Sequence, residues 1–303
     1  MNHFFIINPA SGQSDASQTL PAIIDEIFKF KNEPYEIYIT KGPKDSYVKA
    51  AEKAKDLTED TIFYACGGDG TSFDVLNGIM GKPHAFFGVI PVGSCNDFLK
   101  TFKDYNFKDF ESVINGELRD IDVVSANDLY YINELNIGFD ALVNDDCNKS
   151  KIKEKSVKKA YNRAIIKNLL KFKTHHIKAT FDNQEHDFKA LLLVVANGKY
   201  YGSKYCCAPY ASPFDGLLDF VVVDKISRLR FISMIKGYEK GEHLNNKKYQ
   251  KIVHFENIES IKLTSDETMV TCLDGEIYYF KEINVKINKG ALKMLFPKVK
   301  EDE

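Results

Sequence analysis

At 303 residues, 44 % hydrophobic and 28 % charged, the chain is long enough for two domains and has the composition of a folded globular protein. A formal net charge of −2 gives no general attraction for nucleic acid, and no apolar run approaches the ~20 residues of a membrane span. Met1–Asn8 lacks the basic and apolar regions of a signal peptide. The six cysteines (Cys66, Cys95, Cys147, Cys206, Cys207, Cys272) have no metal-ligand spacing and read as buried thiols in a reducing cytoplasm.

In chain order, a strand is expected at Phe4–Asn8, followed by Pro9-Ala10-Ser11-Gly12. Leu20, Ile23, Ile24, Ile27 and Phe28 form the apolar stripe of a helix. Tyr35–Thr40 reads as a strand, Asp45–Lys55 as a helix and Thr61–Cys66 as a strand. The last of these enters Gly67-Gly68-Asp69-Gly70, with Thr71 as the expected N-cap and Phe73, Leu76 and Asn77 at helical spacing. Ala85–Val92 is a fourth strand, leading through Gly93–Asp97 into a short helix. Strands alternating with helices predict a parallel sheet, and ligands of such sheets gather beyond the carboxyl ends of the strands. Asn8–Gly12, Thr40, Gly67–Thr71 and Gly93–Asn96 all fall there.

The glycine loop reads as a phosphate cradle, because glycines admit an anion close to backbone N–H groups and a helix N-terminus lies behind them. Asp69 within it repels a phosphate unless a cation intervenes or it handles a proton; the alternative is an Asp bonding turn backbone.

Beyond Asp122 the pattern changes. Leu129–Ile137, Ile177–Phe181, Phe188–Ala196, Leu217–Val223, Ile258–Thr264, Thr268–Leu273 and Ile277–Phe280 read as strands separated mostly by turns, the signature of an antiparallel sandwich or barrel. A boundary is therefore expected near Val124, with residues 1–124 and 125–287 as the two domains. After a last strand at Asn284–Ile287, the segment 288–303 is expected to return to the first domain. Lys149–Lys173 carries ten Lys or Arg against one acid, with Tyr161, Ile165, Leu169 and Phe172 near helical spacing. It reads as a solvated helix packed on the second domain, or as a basic helix on an anionic membrane surface. Asp274-Gly275-Glu276 is first a hairpin signal, and Pro213-Phe-Asp215-Gly-Leu-Leu-Asp219 is equally a turn or a place where Asp215 and neighbouring carbonyls hold an oxygen-loving cation such as Mg2+.

Asn8-Pro-Ala-Ser-Gly12, Gly67-Gly-Asp-Gly-Thr71 with Asn77-Gly78, Pro91-Val-Gly-Ser-Cys-Asn-Asp97, Asn136-Ile-Gly-Phe-Asp-Ala141, Asn197-Gly198, Asp215-Gly-Leu-Leu-Asp219 and Asp274-Gly-Glu276 occur in a recurring order. Together they resemble the diacylglycerol kinase catalytic-domain family, particularly its soluble bacterial lipid kinases, over Asn8 to about Phe296. The resemblance implies a three-layer α/β nucleotide-binding domain like that of NAD kinase and diacylglycerol kinase, an antiparallel β-sandwich domain for the lipid substrate, and an active site in the cleft. It implies transfer of the ATP γ-phosphoryl group to a lipid hydroxyl with Mg2+, in the cytoplasm or at the inner face of the membrane. Asn8, Pro9, Ala10, Ser11, Gly12, Thr40, Gly67, Gly68, Asp69, Gly70, Thr71, Ser72, Phe73 and Ser94 match positions that line the nucleotide. Glu276 matches the proton acceptor, and Asp274 belongs to its acidic cluster, with Asp69 as a further catalytic candidate. Asp215 matches a ligand of a structural Mg2+, with the carbonyls of Ser212 and Leu217. Homodimers occur among the soluble relatives; nucleic acid is not an expected partner.

Three positions depart from the family pattern: Ser94 and Cys95 stand in a motif that commonly reads Gly-Thr-x-Asn-Asp, Asp74 stands where Glu is usual, and Gln13–Gln18 carries no Lys or Arg. NAD kinase, which shares the Gly-Gly-Asp-Gly-Thr loop, and a nucleotide-binding regulatory protein with little kinase activity are the competing readings. The Asn-Pro-x-Ser-Gly start and Asp-Gly-Glu end favour the lipid kinase.

Overall fold

Strands that are apolar on both faces need cover on both faces, and the first part of the chain supplies it with helices. The computed structural model describes residues 1–12, 15–93, 96–151 and 157–298. They divide into two units, Met1–Val123 with the segment from Lys289, and Val124–Asn288.

In the first unit, β1 (Asn2–Ile7), α1 (Leu20–Phe28), β2 (Tyr35–Ile39), α2 (Asp45–Ala54), β3 (Thr61–Gly67), α3 (Asp69–Ile79) and β4 (Ala85–Pro91) alternate, followed by a 3-10 turn at Phe98–Thr101 and α4 (Phe110–Ile114). The strands lie parallel in the order β4-β3-β1-β2, with Ile7 opposite both Cys66 and Ile39, and Gly67 opposite Pro91. On one face Phe5 stacks on Tyr64 (4.2 Å between ring centres), and Phe28 of α1 meets Phe5 and His3 edge-on. On the opposite face Phe4 packs against Phe63, and Lys53 of α2 lies 5.2 Å over Phe4. Helix, sheet and helix are thus three layers, as expected. The structure starts α3 three residues earlier than the Thr71 cap implies: Gly68 is the N-cap, and Asp69 opens the first turn. Thr71 N and Ser72 N both bond Gly68 O, so the glycine loop is already helical where the sequence reads as a loop.

The second unit follows β5 (Glu117–Ala126), which crosses the boundary. It holds β6 (Leu129–Tyr131), β7 (Glu134–Gly138), α5 (Phe139–Lys151), α6 (Val157–Lys171), β8 (His175–Phe181), β9 (Gln184–Ala196), the two-residue strands β10 (Tyr200–Tyr201) and β11 (Tyr205–Cys206), β12 (Leu218–Asp224), α7 (Arg228–Glu239), β13 (Val253–Ile258), β14 (Ser260–Leu273) and the start of β15 (Glu276–Phe296). Its pairings are antiparallel: β13-β12-β9-β7-β14-β15, with β8 joining β9 to β14. One stretch of β9 pairs with β7 and β12 and another with β8, so long strands pass from one part of the sandwich to another.

Three of the expected boundaries change for physical reasons. Leu129–Ile137 is two strands, because the N–H groups between them turn to a carboxylate rather than to a neighbouring strand. The pairs Ile258–Thr264 with Thr268–Leu273, and Ile277–Phe280 with Asn284–Ile287, fall largely within two long strands; a register shift between Thr264 and Met269 absorbs the polar interruption. Helices α5 and α7 replace expected turns; Phe231, Met234, Ile235 and Tyr238 line the inward face of α7 at helical spacing. Residues 152–156 of the basic segment lie outside the described residues. Among the described residues no helix is long and apolar enough to cross a membrane.

From Lys289 onward β15 belongs to the first unit, where Met294 pairs in parallel with Phe87 of β4 and Gly290 N donates to Asp122 Oδ1 (2.7 Å). Phe296 ends the strand in an aromatic cluster, 4.9 Å from Phe102, 5.2 Å from Tyr105 and 5.8 Å from Phe107. Replacing Phe296 by Ala should lower unfolding stability by about 3–5 kcal/mol. The urea midpoint measures this, and an unchanged midpoint would show that the returning strand contributes little to the first unit.

Candidate active site

At the carboxyl ends of β1, β3 and β4, side chains take over where the sheet hydrogen bonds stop. Asn8 N donates to Cys66 O (3.0 Å), keeping the loop after β1 beside β3. The Asn8 carboxamide then works in two directions: Nδ2 donates to Thr71 Oγ1 (3.0 Å), and Oδ1 accepts from Ala10 N (3.0 Å). A Cβ on Gly67 would lie 2.3 Å from Thr71 Oγ1, so only glycine lets α3 begin this close to β3. A Cβ on Gly68 would meet nothing within 4 Å. The loop therefore has a closed side toward Thr71 and an open side at Gly68, a shape that suits an anion approaching the backbone.

Asp69, first residue of α3, spans to the next loop. Its Oδ2 accepts from Asn96 N and its Oδ1 from Asp97 N, both at 2.8 Å. Asn96 adopts a left-handed φ of 70°, which aims consecutive N–H groups at one carboxylate. Burial, then the nearby Asp97 carboxylate, push the Asp69 carboxyl up to about 6, and the two N–H bonds offset part of that rise. The sequence alternatives for Asp69 were a charge beside phosphate or a bond to turn backbone; the backbone it bonds belongs to a different loop, which single-sequence reading could not locate.

The other nucleotide-lining expectations are distributed unevenly. Pro9, Ala10, Ser11 and Gly12 form the loop after β1, where Ser11 N donates to Asn8 O (3.2 Å) and Gly12 takes a φ of 88°. Thr40, buried, follows β2 and its N donates to Ile7 O (2.9 Å). Gly70 and Ser72 lie in the first turns of α3. Phe73, at 2 % exposure, is a core side chain with the Lys44 ammonium 5.5 Å above its ring. Ser94 lies outside the described residues.

In the second unit the register gathers the later motifs in one row. Asp219 of β12 pairs with Ala196 of β9, Ala196 with Glu134 of β7, and Asp274 N bonds Glu134 O (3.0 Å). Asn197 and Gly198 follow Ala196, and Glu276 begins β15 opposite Leu273. Asp274 and Gly275, with φ of 45° and 92°, make the two-residue hairpin turn between β14 and β15. The Asp274 carboxylate accepts from three backbone N–H groups, Ile132 (2.9 Å), Asn133 (3.0 Å) and Glu134 (2.9 Å). Asn197 completes the clamp: Nδ2 donates to Ile132 O (2.7 Å), while Asn197 N and Gly198 N donate to Asn133 O. The Asp274 carboxylate thus ties the hairpin to the β6–β7 connection, and its half-buried neighbour Glu276 begins β15. Sequence reading missed Asn133 and Glu134, although two polar residues after Tyr131-Ile132 interrupt an otherwise apolar strand.

Asp215 Oδ1 accepts from Leu217 N (2.9 Å), and Gly216 takes a φ of 75°, so the turn reading of this segment holds. A cation fits it as well. Asp219 Oδ1 accepts from Asn257 Nδ2 (2.8 Å), but its buried Oδ2 has no hydrogen-bond partner. Burial, with the Asp215 charge adding to it, pushes the Asp219 carboxyl up to about 7. Among the described residues no group of three or more His, Cys, Asp or Glu side chains is arranged to hold a metal, so carbonyls such as those of Ser212 and Leu217 would have to complete a shell around Asp215.

Two predictions follow from these carboxylates. The folded-state value of Asp69 (about 6) lies above its ordinary value of 3.8. Its stabilising contribution is therefore fully present below 3.8 and lost as pH rises through about 6. Between about pH 7 and about pH 4, the urea midpoint of the wild type should rise relative to that of Asp69→Asn; parallel profiles would exclude the linkage. Asp274→Ala should cost at least about 3 kcal/mol, because three N–H groups lose their acceptor. Asp274→Asn should cost less, since Asn tolerates the left-handed turn and keeps a carbonyl. Equal midpoints for both variants and wild type would contradict the anchoring.

Comparison with known proteins agrees with this organisation. Residues 2–126 match the model of the diacylglycerol kinase catalytic domain, and residues 133–296 that of the YegS C-terminal NAD kinase beta sandwich-like domain. The chain is 29 % identical over 277 residues to a Bacillus subtilis (strain 168) diacylglycerol kinase, covering 89 % of this chain and 88 % of the relative. It is 27 % identical over 276 residues to a diacylglycerol kinase of Staphylococcus saprophyticus, covering 89 % and 87 %. The crystal structure of a Bacillus anthracis diacylglycerol kinase aligns with a TM-score of 0.71 at 22 % identity, over 97 % of this chain and 96 % of that one, which shows the shared fold. With an α/β catalytic unit, a β-rich YegS-type unit and both family models matched along its length, the chain belongs to the diacylglycerol kinase catalytic-domain family of lipid kinases.

Proposed function

We propose that this protein transfers the γ-phosphoryl group of ATP to the hydroxyl of a lipid such as diacylglycerol, acting at the inner face of the cytoplasmic membrane. The observation that carries the nucleotide half is the loop at Gly67 and Gly68, closed by Thr71 on one side and open at Gly68 on the other. Its backbone, with Asn8–Gly12, Thr40 and Ser72, would cradle the phosphates. Asp69 would act chiefly by holding the Asn96–Asp97 loop in register with that cradle.

Phosphoryl transfer asks a protein mainly for positioning and charge neutralisation. As the lipid oxygen forms its bond to the γ-phosphorus and the bond to the ADP oxygen breaks, the hydroxyl proton would pass to the Glu276 carboxylate. Asp274, saturated by three N–H groups, would fix the hairpin that carries Glu276. Mg2+, when bound, would offset phosphate charge and, held by Asp215 with the Ser212 and Leu217 carbonyls, would brace the acidic edge; the orphaned Asp219 Oδ2 is consistent with a cation there.

A panel of diacylglycerol, phosphatidylglycerol, a sphingoid base and NAD, incubated with γ-labelled ATP, tests the reading directly. Label should enter an organic-phase product with one of the lipids; label in NADP alone, or none with tight ATP binding, would refute it. Glu276→Gln should lower kcat by about 10²–10⁴-fold with the KM for ATP little changed, and wild-type turnover would remove Glu276 as the proton acceptor.

A further inference from the structure

The loops that form the cradle in the first unit are short of positive charge. Asn8–Gly12, Gly67–Thr71 and Gly93–Asp97 contain no Lys or Arg, and they carry the Asp69 and Asp97 carboxylates. The segment Gln13–Gln18 adds no cation either. Backbone N–H groups and a helix dipole attract an anion, but a nucleoside triphosphate brings several negative charges at once. A polyphosphate on this edge therefore calls for a cation from a neighbouring element.

The fold brings Lys44 there. Thr40 leaves β2 with its N–H on Ile7 O, so the chain runs beside the end of β1 before α2 begins at Asp45. Tyr38 OH and Lys41 N both donate to Asp45 Oδ2 (3.0 and 2.7 Å), which fixes the connecting loop. On α3, Thr71, Asp74 and Gly78 share one face at helical spacing. At the first of them Asn8 Nδ2 donates to Thr71 Oγ1, and at the last a Cβ on Gly78 would lie 2.7 Å from Ala50 Cβ of α2. Between these contacts the Lys44 ammonium donates to Asp74 Oδ1 (2.9 Å). Lys44 thus meets α3 about 4.5 Å along the axis from Thr71, on the closed side of the cradle. Helical side chains lean toward the N-terminus, which carries the Asp74 carboxylate further toward Thr71.

Two features set this lysine apart from an ordinary surface ion pair. Its φ of 63° is a left-handed conformation that disfavours any residue with a Cβ. Although it stands at the N-cap of α2, its side chain makes no capping bond, so the helix start does not account for it. The pair is also lopsided, with the Lys44 side chain 52 % exposed and that of Asp74 only 12 %. The anion is covered, whereas the cation stays half in water on a flexible four-carbon stem. Asp74 holds the ammonium beside the cradle in a position from which it can turn to a second anion.

From this placement we infer that Lys44 is a phosphate-binding residue, whose ammonium swings from Asp74 to the polyphosphate of the nucleotide and supplies the positive charge that the cradle loops lack. The inference rests on the ATP-dependent reading above and adds a residue to it. Its test needs neither lipid nor turnover.

Binding of Mg-ATP to the full chain is measured by equilibrium dialysis. Lys44→Met should weaken it by about 10- to 100-fold, the loss of one charge-assisted contact. Lys44→Arg should recover most of the affinity, because it keeps the charge. Lys44→Gly should melt no lower than the wild type, since glycine relieves the left-handed backbone, and should still bind Mg-ATP as weakly as Lys44→Met. Asp74→Asn separates the ammonium from the ion pair: affinity should equal or exceed that of the wild type, because the competing carboxylate is gone. Wild-type affinity in Lys44→Met and Lys44→Gly would overturn the inference. So would a loss in Asp74→Asn equal to that in Lys44→Met, which would make the pair a structural tie between α2 and α3. A wild type that binds no Mg-ATP would refute the proposed function and this inference together, whereas a wild type that binds it no better than Lys44→Met overturns the inference alone.

Discussion

A carboxylate withdrawn from water must face N–H groups, and this requirement shapes both candidate loops. Asp69 takes two backbone donors from the loop after β4, and Asp274 takes three from the connection between β6 and β7. In each case the donors come from consecutive residues, and consecutive N–H groups can converge only where the backbone leaves the strand conformation. Asn96 at a φ of 70° and the break between β6 and β7 are the structural consequences. The loops of each unit are therefore held by side chains of the motifs themselves, so a substitution at either Asp should disturb geometry before it disturbs chemistry.

Much of this was legible in sequence where a local rule applied. Alternating buried strands and amphipathic helices announced the three-layer first unit, and Asp274-Gly275 announced a hairpin with its left-handed turn. Legibility ended where the determinant was distant in the chain. That Asp69 would bond Asn96 and Asp97, or that Asp274 would split Leu129–Ile137 into two strands, depends on residues 27 to 142 positions away. Helix starts failed for a local reason: Gly68 can cap α3 with no side chain at all, so the more familiar Thr71 cap misled. Phe73, just beyond the loop on α3, is buried in the core, since successive helix positions point in directions about one hundred degrees apart.

The row formed by Asp219, Ala196, Glu134 and Asp274 explains why motifs scattered over more than 140 residues belong together. Antiparallel pairing brings strand ends into register without regard to chain distance, and polar residues collect where ladders end. Such an edge accumulates negative charge: Glu134, Asp219, Asp274 and Glu276 share it, and Asp215 lies at the turn before β12. Charges of one sign at a sheet edge must be neutralised by hydrogen bonds, by protonation or by cations. Asp274 uses the first solution, whereas Asp219, with a single bond from Asn257 Nδ2, has its carboxyl pushed up by burial and by the Asp215 charge.

Glu276 is the acid of this edge to which the proposed function gives the proton. A carboxylate held by three N–H groups is stabilised as the anion and makes a poor proton acceptor, whereas one buried without donors is held neutral and cannot accept at all. Asp274 has the three N–H bonds of the first case, and Asp219, with one bond from Asn257 and no partner on Oδ2, is pushed toward the second. Glu276 is half-buried at the start of β15, on a hairpin that Asp274 fixes in place. A hairpin held by a neighbouring carboxylate is the rigid support that the proposed general-base role of Glu276 requires. In that proposal the two acids of Asp274-Gly275-Glu276 divide the work, Asp274 fixing the hairpin through its three N–H bonds and Glu276 taking the proton.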